Sequence, residues 1–588
     1  MVSAGSYILS AAGLAALGLS LGASAVLIRR RLLSTWEGAP ARLVEAVLAM
    51  ALLVWLGELL GTLGLLYAWT LLASSLLISA ALAWKLSPPS AGGVWGGGSR
   101  TGPPPAVPPS PRDGIRSQGL LSLITVGVIA VVFAHWGLVA KDALDRGIFN
   151  FDSLWYHMPF AVDMAQSHSV TGLHYTDTVF TNWFYPQNTE LLHAVGVLFA
   201  HRDTLSLFIN FAFLGLAFLS AWCIGRPYGR GHLSVVATAL VLECHTLVVR
   251  QPGAAKNDRA AAALLLAAAA ILVTAWSASR DGKPALQPGW ALAAAGLATG
   301  LAAGTKLTVM AMAAALSLAV LVLAPRRRRL AAAGWWFVPG LLGGGYWYLR
   351  NLIAAGNPLP EVAHLGPISL PHPERLQIAR PDFSIVHYAT DTGVWRDYFL
   401  PGLHDQFGAL WPVVLGGALL GGGLALARGR DRVVRALGAV ALFGLLAYLF
   451  TPLSASGADG APEAFAINVR YAVPALLMAL ALLPLARALD GRRAQWLALG
   501  GMLIVLALTD RSDAVLRDPS RVFALGLALF LVLIPAALLF ARSRGAGRGA
   551  VIAGFVALGV AILAAGFPLQ RHYLHDRFRN ELASESVP

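Results

Sequence analysis

The chain has 588 residues, of which 57% are hydrophobic and only 13% are charged, and its mean hydropathy is +0.65. A soluble domain of this length needs far more polar surface, so the composition excludes a soluble enzyme. Apolar runs of about 17–25 residues recur along the whole chain, which is the length that a helix needs to cross a bilayer. The alternating ten-residue segments of a membrane β-barrel do not occur. The sequence therefore predicts an all-α polytopic membrane protein.

The net charge of +14 would suit a nucleic-acid partner, but the positions of the basic residues argue against one. They cluster in short loops between apolar runs, at 29–31, 326–329, 428–435 and 542–548. This is the pattern of cytoplasmic loops under the positive-inside rule. Placing the first cluster in the cytoplasm puts both termini outside. The predicted outer loops then hold most of the acidic residues, which indicates an outer surface that binds polar ligands or performs chemistry.

About 16 transmembrane helices are predicted. They cover residues 4–28, 43–67, 68–85, 119–140, 205–225, 232–249, 259–278, 289–304, 307–324, 331–349, 407–427, 436–452, 471–489, 496–510, 522–541 and 550–567. The predicted parts of the chain are an N-terminal three-helix extension (1–85), a cytoplasmic Pro/Gly-rich linker (86–117), a core (118–350) with a first long outer loop (141–204), a second long outer loop (351–406), C-terminal helices (407–567) and an extracytoplasmic tail (568–588). Loops as long as these two are commonly functional, and we expect them to carry short helices.

The first long loop holds the strongest candidate for a catalytic acid or base. It contains the run FNFDSLWYHMP, which places Asp152 just beyond the fourth apolar segment, at the membrane edge. Tyr156 follows at i+4, so that in a helix it shares a face with Asp152. The alternative interpretation is an aromatic belt with Asp152 as a helix cap. In the catalytic interpretation, the surrounding rings are expected to desolvate Asp152 and to raise its pKa.

Four cations are predicted at outer helix ends. They are Lys256 in AAKND, Lys306 in GTKLT, Arg350 in YLRNL and Arg470 in NVRYA. The chain has only five lysines, and holding two of them outside indicates an anionic ligand headgroup; snorkelling to lipid phosphate is the alternative. Arginine offers phosphate a fork and lysine a point charge. We predict that Arg350 and at least one of the other three contact a phosphate.

At these residues the sequence resembles the GT-C superfamily of membrane glycosyltransferases. It is similar to the phospholipid-carrier-dependent members, which are related to protein O-mannosyltransferases and lipid A aminoarabinose transferases. The resemblance spans roughly residues 119–480 and rests on an ordered set of pieces: FDSLWYHMP with FYPQNTELLHA, then AAKND, GLAAGTKLT, YLRNLIAAGNPLP and NVRYAVP. It implies a GT-C-like transmembrane helix bundle.

The resemblance also implies an activity. A hexose or pentose would pass, with inversion, from a polyprenyl-phosphate sugar donor to a hydroxyl of a glycan, lipid or protein acceptor. The reaction would take place on the extracytoplasmic side of a bacterial cytoplasmic (inner) membrane, in glycosylation of the cell envelope. The partners would then be these substrates and the lipid bilayer, with no nucleic acid.

The resemblance implies that Asp152 is the general base. We place Tyr156 and His157 beside it and keep Glu190 and Asp258 as second choices for the catalytic carboxylate. We assign binding of the donor phosphate group to the four cations named above. Further substrate contacts are predicted from Trp155, Tyr185, Asn188, Asn351 and Tyr471.

Metal use and two other functions stay open. Many relatives carry a second acid next to the first, where this chain has Ser153, so we predict no metal ligands and no obligatory cofactor, with a divalent metal as the alternative. A transporter or flippase of a lipid-linked sugar should show charged or broken helices near the bilayer midplane. Here Glu45, Glu58 and Glu243 fall within predicted segments, and the other charged residues lie at segment ends or in loops. A non-catalytic assembly subunit would not need two long polar loops.

Overall fold

The structure is a computed structural model that describes residues 3–86, 113–176, 181–248, 251–278, 289–373, 383–512, 526–543, 545 and 547–577. Most of the predicted linker (86–117) and the end of the predicted tail (568–588) lie outside these residues. Within them, ten helices are long and apolar enough to cross a membrane. Each of the sixteen predicted segments overlaps a helix, which confirms an all-α polytopic membrane protein.

In the part of the chain that the structure describes, thirteen α-helices precede the second long loop. They are α1 (Ala4–Leu32), α2 (Ala39–Thr62), α3 (Ala68–Leu86), α4 (Asp113–Arg146), α5 (Met158–Ser167), α6 (Asn188–Ala200), α7 (Ile209–Gly225), α8 (Gly231–Leu242), α9 (His245–Val248), α10 (Asp258–Ser277), α11 (Trp290–Ala303), α12 (Met310–Leu323) and α13 (Arg329–Ala355). The first long loop therefore contains α5 and α6, with a π-helical turn at Ser153–His157 before them.

The second long loop begins with a two-stranded antiparallel hairpin, in which β1 (His364–Leu365) pairs with β2 (Ile368–Ser369). The remaining helices are α14 (Thr392–Val394), α15 (Leu400–Phe407), α16 (Trp411–Arg428), α17 (Arg432–Phe450), α18 (Phe465–Asn468), α19 (Val473–Leu482), α20 (Arg492–Ser512), α21 (Ile534–Ser543) and α22 (Arg548–Asp576). Both long loops thus carry short helices, as the sequence predicts.

Helix α10 is the most deeply buried of the spanning candidates, and its composition explains why. Its sequence DRAAAALLLAAAAILVTAWS is rich in alanine on every face, so α7, α11 and α19 can pack closely around it. Every residue from Asp258 to Val273 is buried. The N-terminus of this central helix places Asp258 at one end of the bundle, among the loops.

Glycines set the distance between α11 and α13. A Cβ atom added to Gly300 would lie 1.9 Å from the carbonyl oxygen of Gly340, and one added to Gly344 would lie 2.1 Å from the carbonyl oxygen of Gly300. Only glycine allows backbones to approach this closely. This close approach holds the C-terminal end of α13 against the turn that follows α11. The second long loop begins from this end of α13.

The N-terminal helices belong to the bundle. Helix α2 packs on α6, α7, α10, α11 and α13. At one end of the α1–α2 pair, the buried Arg29 is bound to Glu45 at 2.8 Å. At the other end, the carbonyl of Gly61 accepts a hydrogen bond from Val170 N at 3.3 Å, which ties α2 to the first long loop.

The two ends of the bundle differ in character. At one end, Tyr228 donates a hydrogen bond to Asp431 at 2.6 Å, and Arg230 approaches Asp490 at 3.5 Å. These contacts join the turn between α7 and α8 to the predicted basic loop at 428–435 and to the segment between α19 and α20. The two long loops and the N-terminus of α10 meet at the opposite end, where the candidate site lies.

Candidate active site

Asp152 is the residue on which the site is centred. Its Oδ2 atom accepts a hydrogen bond from Arg470 Nη1 at 2.6 Å and lies 3.2 Å from Lys256 Nζ. The Asp152 side chain is 14% exposed, and those of the two cations are 8% and 2% exposed. The site is therefore a nearly buried ion cluster in which Asp152 is the most exposed of these three side chains.

Asp258 forms the second half of this cluster. As the first residue of α10 it lies at a helix N-terminus, where a carboxylate is favoured by the helix dipole. Its Oδ1 atom lies 2.9 Å from Lys306 Nζ and 3.8 Å from Arg470 Nε. Arg470 thus contacts both carboxylates, and it holds the first long loop, the start of α10 and the start of α19 together.

The cluster carries more positive than negative charge. Three cations (Lys256, Lys306 and Arg470) share two carboxylates (Asp152 and Asp258), and three minus two leaves one positive charge. Three of the four cations predicted at outer helix ends therefore do converge. An uncompensated charge in a mostly buried site is costly, so the cluster is suited to an anion.

The ionisation of Asp152 differs from the sequence-based expectation. Burial alone would raise its pKa, but the charges of Arg470, Lys256 and His157 outweigh burial and hold the pKa of Asp152 well below its usual range. The predicted rise of this pKa is therefore wrong for the protein without a ligand. The same cluster lowers the pKa of Lys256 to about 8, through burial and the neighbouring Arg470 charge.

Ser153 follows Asp152 directly in the chain, and its contact explains what its hydroxyl group does in this protein. The backbone N–H of Ala255 donates to Ser153 Oγ at 3.0 Å, and both residues are buried. The hydroxyl group thereby ties the first long loop to the segment that carries Lys256. A role for Ser153 in placing Lys256 beside Asp152 could not be recognised in the sequence, because no spacing links the two segments.

Aromatic rings surround the charged cluster, as predicted. Tyr156 is buried and packs edge-on against Trp155 and Tyr185, with ring centroids 5.4 Å and 5.9 Å away. Burial and the Asp152 charge keep the pKa of Tyr156 well above its usual value, so its hydroxyl group stays protonated. On the other side, Tyr471 lies under the Arg470 guanidinium at 5.3 Å.

A second buried pair lies behind Asp152. His157 Nδ1 and Glu190 Oε1 are 2.5 Å apart, and both side chains are about 2% exposed. His193, one helical turn along α6 from Glu190, is also fully buried, and burial lowers its pKa to about 3, so it is neutral. The structure thus brings the predicted His157 and Glu190 together, and it adds His193, which the sequence gave no reason to select.

Arg350 lies apart from the cluster. Its Nη2 atom donates to the carbonyl of Trp183 at 2.6 Å and its Nη1 atom to Gln187 Oε1 at 3.2 Å. Asn351 Nδ2 donates to the carbonyl of Phe184 at 2.8 Å. These side chains of α13 therefore hold the segment before α6 in place. The predicted phosphate contact of Arg350 stays a prediction, since both terminal nitrogens are bound to this segment.

Three amides supply contacts within and beside the cluster. Asn257 Oδ1 accepts from Lys306 Nζ at 3.0 Å, and Gln251 Nε2 donates to Asp258 Oδ2 at 3.2 Å. Asn188, predicted as a substrate contact, instead accepts from Trp347 Nε1 at 2.7 Å in a fully buried position. No motif in the sequence singles out Gln251, whereas the AAKND run could have indicated Asn257. Among the described residues, no group of three or more His, Cys, Asp or Glu side chains is placed to hold a metal ion.

Fold and site together define a polytopic helical membrane protein with a buried, positively charged cluster at one end of its bundle. No protein-family model and no curated protein matches the sequence. Among solved structures it is similar to ArnT from Cupriavidus metallidurans bound to undecaprenyl phosphate (16% identity, 77% of either chain covered, TM-score 0.41). It is also similar to the apo state of ArnT (17% identity, 79% of this chain and 78% of that chain covered, TM-score 0.40). At such identities and TM-scores, function has to be inferred from the site itself.

Proposed function

We propose that the protein is an inverting glycosyltransferase that moves a sugar from a polyprenyl-phosphate donor to a hydroxyl acceptor. One observation carries the proposal: Asp152 is held by Arg470 and Lys256 in a cluster that has an excess of positive charge. A carboxylate can take a proton from a hydroxyl group, and fixed cations stabilise a phosphate leaving group. The site combines both requirements within a few ångströms.

The excess charge suits the donor. A sugar joined to a lipid through a single phosphate is a phosphodiester with one negative charge, which equals the one uncompensated positive charge of the cluster. Lys306, which is 12% exposed, is the most accessible of the three cations. We therefore assign the phosphate to the side of the cluster formed by Lys306, Lys256 and Arg470.

Donor binding also prepares Asp152 to act as a base. In the free protein its proton affinity is low because two cations hold it. A bound phosphate adds negative charge beside Asp152 and competes for those cations, and both effects raise the pKa of the carboxylate. The base therefore becomes effective when the donor is present.

In the reaction, the acceptor oxygen attacks the anomeric carbon from the face opposite the phosphate. A new C–O bond forms as the C–O bond to the phosphate breaks, and the acceptor proton passes to Asp152. The lipid phosphate leaves with its charge held by the cations. We propose that no metal is obligatory, and that the site faces the extracytoplasmic side of a bacterial inner membrane, opposite the basic loops.

The test uses purified protein in detergent. Undecaprenyl-phosphate hexoses and pentoses are offered with a mixture of glycan, lipid and peptide acceptors, and the release of undecaprenyl phosphate is measured. Transfer in detergent, where there are no compartments, separates an enzyme from a transporter or flippase. Binding of undecaprenyl phosphate without release from any donor would contradict the proposal and favour transport or a non-catalytic assembly role.

A further inference from the structure

A cavity of about 470 Å³ lies at the seam between the N-terminal helices and the rest of the bundle. Seventeen residues line it, and all of them are apolar. Helices α1 and α2 supply one wall, and α6 and α7 supply the other. The volume falls within the range of about 300–1,000 Å³ that is typical of ligand pockets. None of the charged residues of the candidate active site lines this cavity.

The cavity opens toward the bilayer. Gly18 on α1, Ala46 on α2 and Ala212 on α7 line it and are exposed, and all three belong to membrane-spanning candidates. Apolar cavities do not hold water well. The medium beside this opening is hydrocarbon, so the ligand that can enter it is the chain of a membrane lipid.

The position of the cavity along the helices indicates which leaflet supplies this lipid. Met50 lies in the middle of α2, whereas Leu205 and Phe208 lie where the chain leaves the first long loop for α7. The cavity therefore extends from the active-site edge of the membrane through its centre, as far as Ala46 near the start of α2. A lipid in the leaflet on the active-site side would place its chain along this path.

A cation lies near the loop end of the cavity. Arg202 is exposed and precedes Leu205 by three residues, and its guanidinium group donates to the carbonyl of its neighbour His201 at 2.6 Å. The adjacent Asp203 is bound by Tyr573 at 2.7 Å and by Arg577 at 2.6 Å. The charge of Asp203 is therefore taken up by the C-terminal segment, and Arg202 is available to a lipid phosphate.

We propose that this cavity is a binding site for one acyl chain of an anionic phospholipid, whose phosphate lies at Arg202. Leu192 and Val195 of α6 line the cavity, while Glu190 and His193 stand two positions before them, on the opposite face of the helix. The bound chain therefore packs against the back of the helix that presents Glu190 to His157. This gives the N-terminal helices a role, since they close a lipid site that supports α6.

Native mass spectrometry of the full-length protein tests the proposal, because it counts bound lipid without reference to sugar transfer. The probes are dioleoylphosphatidylglycerol and dioleoylphosphatidylcholine, added to delipidated protein in detergent. Wild-type protein should retain one phosphatidylglycerol molecule at concentrations at which phosphatidylcholine is not retained. Ala49→Phe fills the cavity and should weaken this retention at least tenfold, whereas Ala15→Phe, on an exposed face of α1 outside the cavity, should leave it unchanged.

Two further variants make the outcome decisive. Ala212→Phe fills the cavity from the α7 side, so the test remains valid if Ala49→Phe does not fold. Arg202→Gln should remove the preference for phosphatidylglycerol over phosphatidylcholine. Retention as in wild type by both cavity-filling variants would overturn the proposal. One-for-one displacement of phosphatidylglycerol by undecaprenyl phosphate would also overturn it, because the cavity would then belong to the donor chain.

Discussion

Arg470 donates a hydrogen bond to Asp152 at 2.6 Å although 318 positions separate the two residues in the chain. The same guanidinium group lies 3.8 Å from Asp258, so one side chain links the two acids of the site. The contact fixes the carboxylate in one orientation and lowers its pKa. The chemistry of the site therefore depends on how these two distant segments meet.

Asp152→Asn tests the base. The amide keeps the size of the side chain but cannot accept the acceptor proton, so turnover should fall by roughly 10²-fold or more. Binding of undecaprenyl phosphate should persist, because the cations remain. Donor turnover and lipid-phosphate affinity are measured in parallel, with the exposed Asp142→Asn as a matched control. Full turnover by Asp152→Asn would make Glu190 or Asp258 the next candidate.

Lys306→Ala tests the phosphate site. Removing a cation that stabilises the leaving phosphate should lower turnover by about 10²–10³-fold. The effect should be similar with donors that carry different sugars, because phosphate is common to all of them. The control is Lys141→Ala, which removes a lysine paired with Asp145 outside the cluster. Equal kinetics of wild type and Lys306→Ala would exclude Lys306 from the donor site.

Lys256 gives a prediction for pH dependence. Its pKa is lowered to about 8, so it is a cation below pH 8 and becomes a neutral amine above it. Affinity for undecaprenyl phosphate should therefore decrease as the pH rises through about 8. Lys256→Arg should shift this decrease to higher pH, because arginine keeps its charge. Titration of binding between pH 6 and 10 checks this, and an unchanged profile in Lys256→Arg would assign the transition to another group.

Arg350→Ala distinguishes two possible roles of the Arg350 side chain, which are to bind the donor phosphate and to hold the first long loop in place. The variant removes the Arg350 hydrogen bonds to the carbonyl of Trp183 and to Gln187 Oε1, and we expect a loss of about 1–3 kcal/mol in the free energy of unfolding. Thermal unfolding and lipid-phosphate affinity are compared in the same preparation. A large loss of affinity with unchanged unfolding would instead establish the phosphate contact predicted from the sequence.

Gly300→Ala tests the seam between α11 and α13. The new methyl group would meet the carbonyl oxygen of Gly340, so the helices must separate, at a cost of typically about 1–3 kcal/mol. Gly127→Ala on α4 is the control, since nothing lies within 4 Å of its added Cβ. Unfolding in detergent should occur earlier for the first variant only. If both variants unfold alike, the close approach does not limit stability.

Membrane sidedness can be checked by cysteine labelling. The charge pattern predicts that Ser586→Cys reacts with an impermeant reagent from outside and that Ser110→Cys reacts only after the cells are opened. Cys223 and Cys244 are both buried and can be replaced to remove background. Labelling of Ser110→Cys in intact cells would reverse the assignment and would place the charged cluster in the cytoplasm.

The sequence by itself determined the helical segments, the two long loops and the residue types of the site. The sequence signal for a membrane-spanning helix is local, because about 20 consecutive apolar residues specify such a helix whatever it packs against. For the same reason Asp152, Lys256, Asp258, Lys306 and Arg470 could be selected as charged residues at helix ends.

Only the tertiary structure decided which of these residues meet. Arg470 joins Asp152, whereas Arg350, selected by the same criterion, is bound to the segment at Trp183. Both arginines lie near helix ends, and what separates them is the direction that each helix takes in the bundle. That direction follows from side-chain and backbone packing between distant segments, such as Gly300 against Gly340, which no local pattern encodes. The low pKa of Asp152 has the same origin, because it arises from cations that reach the carboxylate only when the bundle has formed.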